Sequence, residues 1–266
     1  MRRRGFLSLT AGAIAAPAFA SETTMSACCP VVELRQYIMQ PGRRDEMVAL
    51  FEREFIESQE ALGARVIGTF KDLDRPDRFV WLRGFADMEA RLAALQGFYG
   101  SDHWRAHRAA ANATIVDNDD VLLLKPAAPH AAFDLPTARA PVGTARPGKG
   151  LIEANLWYLA DADEAGFAAM FETTLAPLLA AHGITPIAWF IGEHSENTFP
   201  ALPVREGERL LAWFAAFDSV ADHGKTRAAM EAATSWPSAY ASATRRFARL
   251  PERFRLEPTA RSALHG

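Results

Sequence analysis

Val31-Val32-Glu33-Leu34-Arg35-Gln36-Tyr37 and Leu151-Ile152-Glu153-Ala154-Asn155-Leu156-Trp157 line up as two versions of one β-strand. Each carries an acid at its third position and an aromatic residue at its seventh, and the first alternates apolar and polar side chains with the period of a strand. Working outward, Phe79-Val80-Trp81-Leu82-Arg83-Gly84-Phe85 aligns with Leu211-Ala212-Trp213-Phe214-Ala215-Ala216-Phe217 when Trp81 is set on Trp213. Asp87 and Asp218 follow shortly after. Trp104 then lies opposite Trp236, and each copy closes on a proline, Pro126 and Pro258. Matches in the same order mark an internal repeat. The first copy spans residues 31–126 and the second 151–258. Residues 127–150 between them are rich in Ala, Pro and Gly, a composition that predicts an extended, solvated linker.

Within the first copy, residues 31–37 form a strand that Pro41-Gly42 breaks. Residues 45–62 read as a helix, with Met47, Leu50, Phe51, Phe55 and Leu62 near helical spacing and Gly63 as its stop. Residues 65–70 and 78–85 are strands around a turn-forming loop, Asp72-Leu73-Asp74-Arg75-Pro76-Asp77. Asp87 caps a helix to about Gln96, residues 101–113 form another, and 120–125 the last strand. The second copy follows with a helix over 163–182, a strand over 185–191, a longer loop over 194–205, a strand over 209–217, a helix over 220–232 and a strand over 253–256.

Strand, helix, strand, strand, helix, strand is the order of a ferredoxin-like module. Its helices cover one face of a four-stranded sheet, and the other face has to be buried. A second copy on the same chain supplies the cover. The expected fold is therefore α+β: two tandem ferredoxin-like modules packed sheet to sheet, as a sandwich or barrel.

At Val32-Glu33-Leu34-Arg35-Gln36-Tyr37, at Phe79-Trp81-Leu82-Arg83-Gly84-Phe85 and at the Trp104/His107 segment before the last strand, the chain resembles the NIPSNAP family of the dimeric α/β-barrel superfamily. The resemblance covers most of residues 31–126 and, more loosely, 151–258. It implies an intramolecular version of the barrel that two ferredoxin-like modules otherwise form as a dimer, with a cavity between the modules. Relatives in that superfamily include cofactor-independent monooxygenases of quinols and aromatics, haem-degrading enzymes, dehydratases and stress proteins, while the family itself carries no one reaction over.

Strand alternation nominates site residues. Val32 and Leu34 point to one face, Glu33, Arg35 and Tyr37 to the other. Assigning the apolar pair to the helices sends Glu33, Arg35 and Tyr37, with Glu153, Asn155 and Trp157 from the second copy, into the space between the sheets. Buried charges are costly unless paired. Two readings follow. In one, Glu33 pairs with Arg35 or Arg83 and locks the modules together while Tyr37 packs as a core aromatic. In the other, these groups orient a polar head while Tyr37, Trp81, Phe85 and Trp104 hold an apolar or aromatic body. His103 and His107 share a helical face, and the ordinary reading of either is a cap or a surface hydrogen bond; in the other reading they act in the pocket, as a haem ligand or with one of them removing a proton while Arg35 steadies the resulting anion. Their i, i+4 spacing could also bind a metal, but that needs a third ligand and no H-E-x-x-H motif is present, so no metal is expected. Ser235 stands opposite His103 and nothing evident opposite His107, so a site would be asymmetric and belong to the first copy. His194, in the long loop, could reach a pocket mouth, although a solvated loop is the simpler reading.

The remaining residues set bounds. Hydrophobic residues make up 49% and charged residues 23% of the 266, as in an ordinary globular protein. Residues 1–20 read as an export signal: Arg3-Arg4-Gly5-Phe6-Leu7 resembles the twin-arginine pattern, and Ala18-Phe19-Ala20 offers a cleavage site. This predicts a periplasmic protein with a linker over residues 21–30 and a tail over 259–266. That signal holds three Arg and no acid, so removing it takes the net charge from -3 to -6 and argues against nucleic acid as a partner. No later apolar run approaches the roughly 20 residues that span a bilayer. Cys28 and Cys29 are adjacent and lie outside both copies, so neither a disulfide nor a cysteine-ligated zinc holds the copies internally. There is no dinucleotide fingerprint, phosphate loop or nucleophile elbow. The expectation is a cofactor-free protein that binds a small apolar or aromatic molecule between its modules, with a cofactor-independent monooxygenase as its catalytic form; the alternative is a non-catalytic binding, interaction or stress module. Further pairing into a homodimer is left open.

Overall fold

The computed structural model describes residues 25–146 and 148–266; the expected export signal lies outside the described residues. The first half runs β1 (Met25–Cys28), β2 (Val31–Met39), α1 (Arg44–Leu50), a π-helical turn (Phe51–Phe55), α2 (Ile56–Glu60), β3 (Arg65–Asp72), β4 (Arg78–Phe85), α3 (Met88–Gly100), α4 (Asp102–Asn112) and β5 (Ile115–Pro126). After a 3-10 turn (Pro129–Ala131) and β6 (Phe133–Pro136), the second half runs β7 (Leu151–Tyr158), α5 (Glu164–Met170), a second π-helical turn (Phe171–Leu175), α6 (Ala176–Ala181), β8 (Pro186–Gly192), β9 (Leu210–Phe217), α7 (Val220–Glu231), α8 (Ser235–Thr244) and β10 (Glu252–Pro258). The helix starts follow from the sequence. The Asp87 carboxylate accepts from the Ala90 amide at 2.7 Å and the Ser101 hydroxyl from the Trp104 amide at 3.0 Å, each satisfying an amide that the first turn leaves unpaired.

Eight strands close into one antiparallel barrel in the order β10-β3-β4-β2-β5-β8-β9-β7. Each half contributes four adjacent strands in the same relative order, β5-β2-β4-β3 and β10-β7-β9-β8. The registers correspond as well: Trp81 lies opposite Arg35 and Phe85 opposite Val31, just as Trp213 lies opposite Asn155 and Phe217 opposite Leu151. The halves join at two seams. β5 pairs with β8 through Leu124–Gly192 to Pro126–Phe190, and β10 pairs with β3 through Leu256–Asp72 to Pro258–Phe70.

The barrel interior is an apolar core drawn from both halves. Val32, Leu34, Leu82 and Leu122 meet Ile152, Leu156, Ala212 and Phe214 there, all buried. This corrects the expected facing of the first strand. Val32 and Leu34 point into the barrel, so Glu33, Arg35 and Tyr37 point outward beneath the helices, where Tyr37 packs with Met47, Phe51 and Phe55. The physical reason is space. Eight strands fill a closed barrel with their own side chains, whereas the helix layer can bring long polar side chains to meet a charge.

The segments expected as solvated linkers and tail also differ. β1 and β6 pair as an antiparallel ribbon, Met25 with Pro136 through Cys28 with Phe133. In β6 the order Phe133-Asp134-Leu135 puts two apolar side chains on one face, and both are buried against the barrel core. The Phe133 ring centroid lies 5.0 Å from those of Phe190 and Phe214. Beyond β10, the Thr259 amide donates to the Thr69 carbonyl and the Leu264 amide to the Ile67 carbonyl, both at 2.9 Å. A barrel end leaves apolar edges open, and these short segments cover them. Averaging over Ala, Pro and Gly hid the few residues that do so. Cys28 and Cys29 are bonded to each other at the turn from β1 into β2. No helix among the described residues is long and apolar enough to cross a membrane.

If Phe133 plugs the barrel, Phe133→Ala lowers unfolding stability by about 3–5 kcal/mol in urea titrations. A solvated linker residue would cost within about 0.5 kcal/mol.

Candidate functional site

β2 places Glu33 and Arg35 under α3, and β4 places Arg83 beside them. Glu33 is wholly buried and accepts from three arginines. The Arg35 Nη1 (2.9 Å) and Arg83 Nε (2.7 Å) donate to Oε2, and the Arg91 Nε (2.6 Å) donates to Oε1. Burial alone would raise the Glu33 pKa; the charges of Arg83, Arg35 and Arg91 overcome it and hold the carboxyl far below the ordinary carboxylate range. One carboxylate against three guanidiniums leaves a buried surplus of positive charge. Each arginine also keeps its Nη2 without a hydrogen-bond partner.

Beside this cluster lies a cavity of about 250 Å³ between the sheet and the helices of the first half. Its wall includes Tyr37, Trp81, Phe51, Phe55, Phe98, Tyr99 and Trp104, with Gln59, Ala111, Ala201 and Leu202. The charge cluster reaches the wall through relays. Arg35 Nε donates to the Tyr37 hydroxyl at 3.1 Å, and Arg83 Nη1 donates to Gln59 Oε1 at 2.8 Å. The guanidinium carbon of Arg35 sits 5.5 Å from the Trp81 ring and that of Arg83 sits 5.1 Å from it, both within cation–π range. Burial pushes the Tyr99 hydroxyl above its usual range, so it stays protonated and able to donate. An aromatic wall backed by excess positive charge suits a planar ligand with an anionic or strongly hydrogen-bond-accepting oxygen.

Part of the lid comes from the other half. In the loop after β8, Asn197 Oδ1 accepts from Arg91 Nη1 at 3.1 Å. Phe199 stacks on Tyr99 with ring centroids 5.9 Å apart, and Ala201 and Leu202 close the wall. His194 lies off this wall, on another pocket with Glu193, Ser195 and Arg205, and sits 2.5 Å from Glu164, which also accepts from the Gly192 and Leu210 amides. It anchors the loop.

The nominated residues thus separate. Tyr37, Trp81 and Trp104 line the cavity, with Glu33, Arg35 and Arg83 behind it. Phe85 is not on the wall but packs with Val31 and Leu95 in the cluster that also holds the wall residue Leu202. His103 and His107 are absent from the cavity wall; their rings lie 4.7 Å apart beside Glu54, on the outer side of Phe55. Glu153, Asn155 and Trp157 belong to a counterpart in the second half. There Glu153 accepts from Asn155 (2.7 Å), His223 (2.6 Å) and Arg227 (2.8 Å). Burial holds His223 below the usual histidine range, and burial with nearby Arg253 pushes Arg227 down to about 10. Glu153 faces one arginine where Glu33 faces three. The adjoining groove, about 390 Å³, is edged by Leu250, which is 87% exposed. Among the described residues, three arginines on one buried carboxylate beside a roofed cavity occur in the first half.

Sequence reasoning missed Gln59, Arg91, Tyr99 and the roof residues. Arg91 had a signal: it shares the inward helical stripe of Ala94, Leu95 and Phe98, where a charge needs a buried partner. The roof had none, because it depends on how the halves close.

Comparison with known proteins supports the architecture. The sequence pattern of the NIPSNAP family matches residues 32–129. No curated protein sequence matches the chain. Among solved structures, a candidate monooxygenase from Fusobacterium nucleatum superposes with a TM-score of 0.57 at 9% identity, over 90% of this chain and 96% of that one. A candidate monooxygenase from Lactobacillus acidophilus gives 0.51 at 12% identity, over 88% and 97%. An anthrone oxidase-like protein gives 0.54 at 10% identity, over 91% and 99%. These likenesses support the barrel fold, closed here within one chain.

Glu33→Gln leaves three buried guanidiniums without their counter-charge, and its cost in urea titrations is about 3–5 kcal/mol. Because the folded-state pKa is depressed, the stability Glu33 confers is present in full above its ordinary value of 4.5 and is lost as pH falls below it. Wild-type stability therefore declines on acidification below that value more steeply than that of Glu33→Gln.

Proposed function

We propose that the chain binds a small aromatic molecule carrying an acidic or anionic oxygen, in the cavity beneath the helices of the first half. The observation that carries this reading is the pairing of an aromatic wall with a buried excess of positive charge relayed to it through Tyr37 and Gln59. A cavity of about 250 Å³ suits a molecule of one or two rings. We further propose that the two halves are tandem NIPSNAP-like, ferredoxin-like modules and that the chain works in the periplasm after export. Support comes from the equivalent strand orders and registers, the family match over residues 32–129 and the twin-arginine-like start.

A cofactor-independent monooxygenase is the catalytic form of this reading. Its support is the fold shared with candidate monooxygenases and an anthrone oxidase-like protein. In it, the Arg35–Tyr37 relay would steady an ionised substrate oxygen. The ionisable side chains on the cavity wall are Tyr37 and Tyr99, and a protonated Tyr99 donates a hydrogen bond rather than removing a proton. Binding therefore stands ahead of catalysis.

Calorimetry with 1-naphthol and naphthalene tests the reading. The naphthol binds at least tenfold more tightly than the hydrocarbon. Ala111→Phe, which fills the cavity from α4, weakens naphthol at least tenfold, whereas Trp213→Phe in the second half leaves it unchanged. Equal affinities for the two probes, or an indifferent Ala111→Phe, would overturn it.

A further inference from the structure

We infer that Glu54, His103 and His107 form a divalent-metal site matched to zinc. The site is separate from the aromatic cavity and independent of any ligand there. Among the described residues these three offer ligand atoms that all lie within 4.8 Å of one another. Glu54 Oε2 is 3.7 Å from His103 Nε2 and 3.6 Å from His107 Nε2. In a tetrahedral zinc site with bonds of about 2.0–2.1 Å, neighbouring ligand atoms stand about 3.3–3.4 Å apart. The two carboxylate–imidazole separations are therefore a few tenths of an ångström from the bound geometry, and small side-chain rotations bring the imidazoles together.

The arrangement around the three groups supports the same assignment. His107 Nδ1 lies 3.0 Å from the His103 carbonyl. A carbonyl only accepts, so Nδ1 carries the proton and the lone pair of the neutral ring is on Nε2, facing Glu54. Fixing the remote ring nitrogen on a carbonyl is how metal-ligating histidines are commonly held. Arg53 Nε donates to Glu54 Oε1 at 2.7 Å, which orients the carboxylate and leaves Oε2 for the ion. His103 Nε2 donates to the Glu54 carbonyl at 2.8 Å without an ion, and metal binding replaces that hydrogen bond. All three side chains reach solvent, Glu54 being 20%, His107 29% and His103 39% exposed, so an ion can enter and water can complete its coordination.

The fold supplies the third ligand that the sequence pattern lacked. His103 and His107 project from α4, and Glu54 projects from the π-helical turn packed against it. The second half provides an internal contrast. Aligning Trp104 with Trp236, and Phe51–Phe55 with Phe171–Leu175, sets Ser235, Ala239 and Thr174 in the three ligand positions. None is an imidazole or a carboxylate. Two imidazoles and one carboxylate leave coordination positions open, as in zinc sites that hold water. An ion there ties α4 to the turn carrying Phe55, two elements that also contribute wall residues to the cavity.

The test is calorimetric titration of tag-free, chelator-treated full chain with zinc chloride at pH 7.5, followed by cobalt(II) absorption spectroscopy. The inference predicts one equivalent of zinc with micromolar or tighter affinity, at least tenfold weaker binding for Glu54→Gln, and loss of the saturable equivalent in His103→Ala/His107→Ala. Zinc raises the melting temperature of the wild type and not of the double variant, because only the former gains from binding in the folded state. Cobalt(II) gives visible d–d bands of a four- or five-coordinate site in the wild type. His130→Gln, at an exposed pair with Glu172, changes none of these readouts. Absence of a saturable equivalent, its survival in the double variant, or a cobalt spectrum of the hydrated ion alone would overturn the inference.

Discussion

The structure depends on two short seams, where β5 meets β8 and β10 meets β3. Each half alone is a four-stranded sheet with helices on one face and a bare apolar face on the other. The seams turn two such sheets into one closed barrel, and every bare face then becomes interior. Closure decides where polarity can go. With the interior filled by residues such as Val32, Leu34, Ile152 and Phe214, the remaining strand faces lie under helices, and any charge on them must find its partner there. Glu33 finds Arg91 on α3 as well as Arg35 and Arg83 on the sheet. The same closure brings the loop after β8 across to roof the cavity of the opposite half.

The two halves show what unequal charge does to equivalent frameworks. Both place a buried glutamate on their first strand and oppose it with cations from the helix that follows their third. In the second half Asn155, His223 and one arginine, Arg227, satisfy Glu153, and Leu250 stands exposed at the edge of the adjoining groove. In the first, three arginines outnumber one carboxylate, and the surplus lies behind an aromatic wall that the other half partly roofs. Unpaired buried charge is costly, so a site that retains it is one where a ligand's negative charge is worth most. The histidines are unequal too: the first half keeps Glu54, His103 and His107 together on the outside of the same helices.

Much of this architecture was legible in the sequence. The period-two alternation around Glu33 and Glu153 located the strands, and Trp81 against Trp213 set a repeat register that the strand pairing reproduces. Asp87 announced its helix because a short acid before an apolar run has one favourable role. The facing of Glu33, Arg35 and Tyr37 was not legible. Alternation separates two faces without saying which one meets helices, and a charged face looked better suited to an interface than to a helix layer. Only the volume balance of a closed barrel reverses that choice. Phe133 and Leu135 disappeared into an Ala- and Pro-rich average, and Gln59, Glu54 and Leu202 join their sites through contacts too distant in sequence for spacing to report.

Hydrogen–deuterium exchange across the seams tests the closed barrel most directly. Backbone amides of Ala127 and Glu193 donate to Trp189 and Leu123 at one seam, and those of Leu73 and Thr259 donate to Arg255 and Thr69 at the other. If the halves form one cooperative barrel, peptides covering residues 121–127, 187–193, 69–73 and 254–259 exchange only with the global unfolding that also exposes β2 and β7. Rapid exchange at both seams while β2 and β7 stay protected would mean two sheets that merely touch, and would contradict the account.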